Sequence, residues 1–418
     1  MTRMMKDSGV EWIGEIPENY KLVQVRQLFN IGRGRVIATT ELEDSGYPVY
    51  SSQTKNDGLL GYIKTYDFDT NQLTWTTDGA NAGTVFLREG KHNCTNVCGT
   101  LQSKTEKVSL SYMKYALGHI AFYHKRIDIN GAKIMNNEMA AITTILPPLP
   151  EQQKIATFLD EKCGAIDEII SKTEQSIEEY KKLKQSVITK AVTKGIRPNR
   201  PMQDSNIEWI GEIPTDWSVI KLRYLYRCQN GISKSAEFFG KGFPFVSYKD
   251  VYNNDVLPET VSGLCNATEE ELNRYSVKQG DIFFTRTSET IEEIGLTSIC
   301  LNSFENATFA GFLIRCRPYT TKLDFEYSKY YMASSHLRLY FVKEMNLVTR
   351  ASLSQELLKD LQVLIPPLEE QKEIAQYLDE KCAEIDTLVE KKQQFLAEMA
   401  NYKKSLIYEY VTGKKEVA

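Results

Sequence analysis

Nothing in the 418 residues reads as a catalyst. No GxxxxGK[ST] phosphate loop occurs, because the Gly-Lys steps at Gly90, Gly240 and Gly413 lack the partner glycine. An Asn-Pro-Pro-Tyr methyltransferase motif, HExxH and GxSxG are missing as well. Phe239-Gly240-Lys241-Gly242 lacks the strand–loop–helix frame of a cofactor loop. Glu370-Gln371-Lys372, which matches a minimal nuclease fragment, falls in a helical stretch among solvent-facing charges. His119 and His124 have no acid or nucleophile motif beside them, so no acid, base and nucleophile set can be assembled. No apolar run approaches the roughly 20 residues of a membrane helix. The opening MTRMMKDSGVEW holds no signal-peptide core, so a cytoplasmic protein is expected.

Other shortages narrow the field further. The eight cysteines are irregularly spaced, which suits reduced thiols. Cys94 and Cys98 with His92 offer three ligands but no matching second pair, a weak zinc signal against the simpler reading of no metal. A net charge of −4 does not advertise nucleic-acid binding, and no stretch forms a basic tail or patch. A DNA role would need a folded surface, with partners supplying much of the phosphate contact. With 42% hydrophobic and 25% charged residues the composition is that of a globular protein, long enough for two or three domains.

What is abundant is repetition. PPLPEQQKIATFLDEKCGAID at 147–167 returns as PPLEEQKEIAQYLDEKCAEID at 366–386, ungapped, with 14 identities in 21 positions at an offset of 219 residues. DSGVEWIGEIP at 7–17 returns as DSNIEWIGEIP at 204–214. The chain is therefore two tandem units of one plan, each ending in a helix. The contents between the matching parts scarcely match.

Each unit opens with a Trp-Ile-Gly-Glu-Ile-Pro segment, read as a short amphipathic piece with Trp12 and Ile13 as an apolar anchor. Residues 22–146 are strand-rich, with β-leaning runs at Tyr47–Tyr50, Gly61–Lys64 and Leu73–Thr77. TTDGANAGTVF at 76–86 is a turn between strands. SYMKYALGHIAFYH at 111–124 has helical spacing, and its aromatics read as core. From 151 onward Ile166, Thr173, Tyr180 and Val187 recur every seven residues, with Ile169, Ile170, Ile177, Leu183 and Ala191 widening the stripe. That pattern predicts an amphipathic helix of roughly 25–40 residues, about 40–60 Å long. Ile385, Leu388, Val389, Phe395, Leu396, Met399, Tyr402, Leu406 and Tyr410 repeat the phase. The two helices are expected to pair antiparallel, with a globular part at either end. Cys163 and Cys382 occupy equivalent places and read as small buried residues. KGIRPNRPMQ at 194–203 is a linker.

Two variable globular parts, each preceded by WxGEIP and followed by PPLxEQxxIAxxLDEK and a long helix, resemble the specificity subunit of type I restriction–modification systems. SSQTKNDGLLGYI and TWTTDGANAGTVF resemble one common class of target-recognition domain, and the second globular part another class. The resemblance implies an α+β fold: two mixed α/β target-recognition domains separated by two long antiparallel coiled-coil helices, with an internal pseudo-two-fold repeat. It places target-recognition domain 1 at 1–146, the first spacer helix at 147–197, a linker and target-recognition domain 2 at 198–365, and the second spacer helix at 366–418.

It further implies a non-catalytic subunit that reads a bipartite, asymmetric double-stranded DNA target, one half-site per domain. The paired helices would dock two methyltransferase subunits, with restriction and translocase subunits joining them. S-adenosylmethionine and ATP would be used by those partners, and neither a cofactor nor a metal is expected on this chain. Side chains suited to base edges and phosphates make Arg33, Arg35, Ser52, Gln53, Thr54, Lys55, Asn56, Thr77, Asp78 and Asn81 the candidate DNA-binding residues of the first domain. Ser233, Lys234, Ser247, Tyr248, Lys249, Arg286, Thr287 and Ser288 are those of the second. A coiled-coil adaptor without a DNA role would explain the helices, but not the duplicated heads with divergent loops.

Overall fold

The computed structural model describes residues 3–128, 131–288, 293–344 and 351–417. It resolves two compact units: 1–175 with 393–418, and 176–392. The unit borders fall inside the long helices, Leu149–Lys194 and Leu368–Val411, so each unit owns half of both.

In the first unit the alternating and β-branched runs form β1 (Phe29–Arg33), β2 (Tyr47–Tyr50), β3 (Leu59–Ile63), β4 (Phe68–Asp69), β5 (Gln72–Thr76), β6 (Val85–Arg88), β7 (Lys91–Cys94) and β8 (Cys98–Ser103). One antiparallel sheet has the order β1–β8–β5–β6, and a second has the order β3–β2–β7–β4. Helix α1 (Leu110–His124) is capped by Ser109, whose side chain accepts the Tyr112 N–H. It lays Tyr112, Met113, Ala116, Leu117 and Ile120 on Leu73, Trp75 and Leu101 of the sheet.

The second unit repeats this plan with β9 (Tyr226–Asn230), β10 (Phe239–Val246), β11 (Leu264–Cys265), β12 (Ile282–Thr285), β13 (Thr297–Ile299), β14 (Thr308–Phe309) and β15 (Leu313–Pro318). Its main sheet, β9–β15–β12–β13, matches β1–β8–β5–β6 strand for strand. The parallel pair β10–β14 matches β2–β7. Helices α2 (Phe325–Ala333) and α3 (Ser335–Glu344) together take the place of α1. The core here joins Ile282, Phe284 and Ile314 to Tyr327, Tyr331, Leu337 and Phe341. One fold has thus been built twice from dissimilar sequence.

The repeated motifs are repeated because they perform the same attachment in each unit. The WxGEIP segment is a two-stranded hairpin, Met5–Asp7 with Glu15–Pro17, and again Met202–Asp204 with Glu212–Pro214. The sequence pointed instead to an amphipathic piece, whose apolar side chains prove to sit on a bent hairpin. Trp12 stacks on Tyr123 at 5.4 Å, and Trp209 on His336 at 5.6 Å. Glu151 holds Arg3 and accepts from the Tyr20 hydroxyl at 2.7 Å. In the second unit Glu370, with a fully buried side chain, holds Arg200 and accepts from Trp217 Nε1 at 3.1 Å. The Gln side chains of the repeat are buried clamps. Gln152 accepts the Ser109 N–H at 2.9 Å and donates to the carbonyls of Lys107 and Pro147 at 3.1 and 2.8 Å. Gln371 accepts the Asp324 N–H at 2.7 Å and donates to Lys322 and Pro366 at 2.8 and 2.9 Å. Each clamp fixes the helix start to the N-cap of the helix that covers the sheet.

Within each unit the halves of the long helices run antiparallel. In the first unit Phe158 packs on Tyr410 at 4.3 Å and Asp167 pairs with Lys403 at 2.6 Å. In the second Lys392 lies over Tyr180 at 5.5 Å and Lys184 pairs with Asp386 at 2.7 Å. The two ion pairs are the same pair under the 219-residue offset. At 46 and 44 residues the helices exceed the expected length, because the turns before the heptad stripe are helical too and are buried on their own globular part. The stripe also needs correction. Ile166, Ile177, Ile188 and Ala191 are buried, but Ile169 and Leu183 are 42% and 48% exposed. Lys184 stands next to where Leu183 was expected to pack. On the second helix Leu388, Phe395 and Tyr402, at strict seven-residue spacing, are 39–54% exposed. Cys163 and Cys382 are buried, as expected.

Candidate nucleic-acid interface

At the end of β5 the chain leaves the sheet at Thr77, whose N–H donates to the Val97 carbonyl at 3.0 Å and whose carbonyl accepts the Ile134 N–H at 2.8 Å. At the end of β12 Arg286 makes the same two bonds, to Phe312 at 3.0 Å and from Leu353 at 2.7 Å. The next residues also correspond, Asp78 bridging Lys133 and Thr287 pairing with Ser352. Beside each strand end, Gly34 and Gly231 pass so close to a carbonyl that a Cβ would lie 2.2 Å from it. The following residues bridge in parallel, Arg35 with Thr95 and Ile232 with Ala310. Each unit therefore carries the same slot: a strand end, a glycine-led edge and a tight turn.

The slots are filled differently. In the first unit Thr77 is fully buried and its hydroxyl donates to the Val97 carbonyl at 3.0 Å. It cannot reach a base, which corrects its place among the candidates; it positions Arg33 instead. Arg33 arrives from β1, bonded to the Asn96 carbonyl and 3.4 Å from Thr77 Oγ1. In the second unit the arginine comes from the strand end itself. Arg286 is half-buried, and its guanidinium makes no hydrogen bond or ion pair among the described residues. Asn230 occupies the place of Arg33 and accepts from Gln355 Nε2 at 3.0 Å.

The other candidates divide into open and engaged side chains. Thr54, Lys55 and Asn56 are exposed, Ser52 and Gln53 half-buried, and Gln53 Nε2 donates to the Leu59 carbonyl. Asn56 and Asp57 sit at φ +49° and +51°, a left-handed pair that turns this loop back sharply. Asn81 is exposed on the β5–β6 turn, and Asp78 is half-buried. The Arg35 Nε–H is shared between the two carboxylate oxygens of Asp67 at 3.0 and 3.2 Å, with Glu41 at 3.6 Å from Nη1. Such a partly exposed pair is weak enough to open toward a phosphate.

In the second unit Ser233 and Lys249 are exposed. Lys234 is spoken for: it donates to Glu271 at 2.6 Å and the Asn266 carbonyl at 2.8 Å, with its side chain 12% exposed. Ser247 is bonded to Asp250 at 2.7 Å as the start of the helix Tyr248–Tyr252. Both are corrections, because the partners lie beyond the reach of local sequence or make an ordinary cap. Tyr248 stacks on Tyr252 at 5.9 Å, and burial followed by the Glu293 charge pushes its phenol up. Ser288 donates to Glu293.

Sequence reasoning missed Arg88 beneath the 52–58 loop. It is 3% exposed, stacked on the Tyr50 ring at 3.6 Å, and bonded to Thr74 at 3.1 Å. Burial lowers its pKa. His92 is likewise buried: Nδ1 donates to the Gly90 carbonyl and Nε2 accepts from Gln72, each at 2.8 Å. Both imidazole nitrogens are occupied, and desolvation raises the Cys94 and Cys98 thiols. Among the described residues no group of three or more His, Cys, Asp or Glu could hold a metal.

The family model for the type I restriction modification DNA specificity domain matches residues 17–179 and again 214–397. The chain belongs to the type I restriction–modification specificity subunits. Similar relatives include the type I restriction enzyme MjaVIII specificity subunit of Methanocaldococcus jannaschii, 27% identical over 96% of this chain and 94% of that one. The MpnII specificity subunit of Mycoplasma pneumoniae is 39% identical over 34% of this chain and 43% of its own length. A chain from a solved structure titled for complex assembly and conformational transition of the type I R-M system has the same fold, with TM-score 0.69 at 15% identity over 95% of this chain and 98% of that one. The two matches of the family model coincide with the two copies of the sheet. Specificity subunits are the non-catalytic members of their assemblies. No helix among the described residues is long and apolar enough to cross a membrane.

Proposed function

We propose that this specificity subunit reads a bipartite, asymmetric DNA sequence, with residues 1–146 and 198–365 as target-recognition domains that each take one half-site. The observation that carries this reading is the pair of slots. Their backbones coincide bond for bond, yet Arg33 and Thr77 stand in one where Asn230 and Arg286 stand in the other. Identical frames with different contents are what two different half-sites require. The reading residues are Arg33, Arg35, Ser52, Gln53, Thr54, Lys55, Asn56, Asp78 and Asn81 in the first domain. In the second they are Ser233, Tyr248, Lys249, Arg286, Thr287 and Ser288. Arginine bidentate to guanine O6 and N7 is the commonest specific contact in a major groove.

The long helices, 147–197 and 366–418 with their flanks, are the spacer and the dock for two methyltransferase subunits. Ile169 and Leu183 on the first, and Leu388, Phe395 and Tyr402 on the second, are the outward apolar residues that support docking. Restriction and translocase subunits join that assembly, and S-adenosylmethionine and ATP are bound by those partners. The test is to co-express this chain with its neighbouring methyltransferase and map genomic methylation at single-base resolution. A two-part asymmetric motif with a fixed gap supports the reading. A continuous motif, or no methylation from a stable complex, refutes it.

A further inference from the structure

The second slot carries a side chain outside the set named above. Phe312 is 66% exposed, and it stands on a turn closed by the Leu313 N–H to the Ala310 carbonyl at 3.0 Å. That turn cannot relax to bury the ring. The Phe312 carbonyl is tied to the Arg286 N–H at 3.0 Å, and the Phe309 carbonyl to the Ile232 N–H at 2.9 Å. At Gly311 a Cβ would lie 2.2 Å from Ser233 Oγ, so the turn is pressed against the slot edge. The corresponding residue in the first unit is Val97, half-buried. One exposed phenylalanine is ordinary on a protein surface. Here it sits on the residue whose backbone is bonded to Arg286, and that guanidinium has no partner among the described residues. An arginine fork and an apolar ring on residues joined by one backbone hydrogen bond are the chemistry that reads a guanine next to a thymine, through O6 and N7 and through the C5 methyl.

Building on the reading of the second domain as a half-site reader, we propose that Phe312 determines specificity, its ring packing on the C5 methyl of a thymine adjacent to the base pair read by Arg286. The experiment uses the assembled methyltransferase with wild type, Arg286→Ala, Phe312→Ala and Phe312→Leu. Methylation maps are combined with binding to duplexes in which each thymine of the second half-site is replaced in turn by uracil. Phe312→Ala should relax one A·T position, next to the one relaxed by Arg286→Ala, and Phe312→Leu should retain most of the preference. Uracil at that position should weaken wild type about fourfold, the worth of one buried methyl, and should leave Phe312→Ala unchanged. An unaltered motif in Phe312→Ala overturns the assignment. So does relaxation at a G·C pair, equal uracil effects on both proteins, or uniform weakening on every sequence, the last marking a wedge or backbone contact. If no two-part motif exists, the half-site reading itself fails; if the motif exists and Arg286→Ala relaxes it while Phe312→Ala does not, only the Phe312 assignment fails.

Discussion

Replacing Gln371 by Met tests whether the duplicated motif is the joint between helix and globular part. Gln371 is fully buried, and its amide makes three hydrogen bonds of 2.7, 2.8 and 2.9 Å. Methionine nearly matches its volume, so little cavity forms and the loss is electrostatic. The Asp324 N–H and the Lys322 and Pro366 carbonyls each lose a partner, at about 1 kcal/mol or more per group, for a total of about 3 kcal/mol. With a urea dependence of about 2 kcal/mol per molar, the unfolding midpoint of the second unit should fall by about 1.5 M. Gln152→Met should do the same to the first unit, since its bonds of 2.9, 3.1 and 2.8 Å are equivalent. Urea unfolding followed by hydrogen exchange can assign each transition to its unit. A shift under about 0.3 M, or a large effect from one glutamine and none from the other, would refute the shared-clamp argument.

Three further outcomes are expected. His336, 4% exposed and bonded through Nδ1 to Ser334 at 2.7 Å, is pushed by burial from 6.5 down to about 3. The native state therefore binds fewer protons than the unfolded chain, and stability present at neutral pH is lost as pH falls below about 6.5, by about 2 kcal/mol at pH 5; thermal unfolding of His336→Gln should show a flatter acid limb. Lengthening both long helices by seven residues adds about 10 Å and should widen the gap between half-sites by about three base pairs of 3.4 Å without altering either half, as methylation mapping would report. Arg33→Ala should relax one position of the first half-site and Arg286→Ala one of the second, each by about 1–3 kcal/mol; equal loss on every sequence would reassign that arginine to the phosphate backbone.

The frame was readable in the sequence because its signals are local. Seven-residue spacing marked the long helices, the offset copies marked the units, and Asp-Gly and Ala-Gly steps marked the β5–β6 turn. The slots were not readable, because they are assembled from partners far apart in the chain. Asp78 meets Lys133 and Thr287 meets Ser352, pairings that no periodicity announces. For the same reason the carboxylates that hold Lys234 and Arg35, Glu271 and Asp67, lie beyond the reach of local sequence. Thr77 belongs both to the Leu73–Thr77 run and to the 76–86 turn, and its burial follows from Val97, a partner that no local signal links to it. The helix stripe failed at Ile169 and Leu183 because an apolar residue at the right spacing can face outward when its own unit already fills the seam.

The central claim is that each globular part reads one half-site inside an invariant frame, and the structure offers natural borders for testing it. Lys21 pairs with Leu146 where the first part closes, and Ser218 pairs with Ile365 where the second does. Replacing 21–146 by a second copy of 218–365 leaves both hairpins, both clamp glutamines and both helices in place. Methylation mapping of that protein with its methyltransferase should return the second half-site twice across the same gap, with the first half-site gone. An unchanged motif, or a single continuous one, would contradict the account.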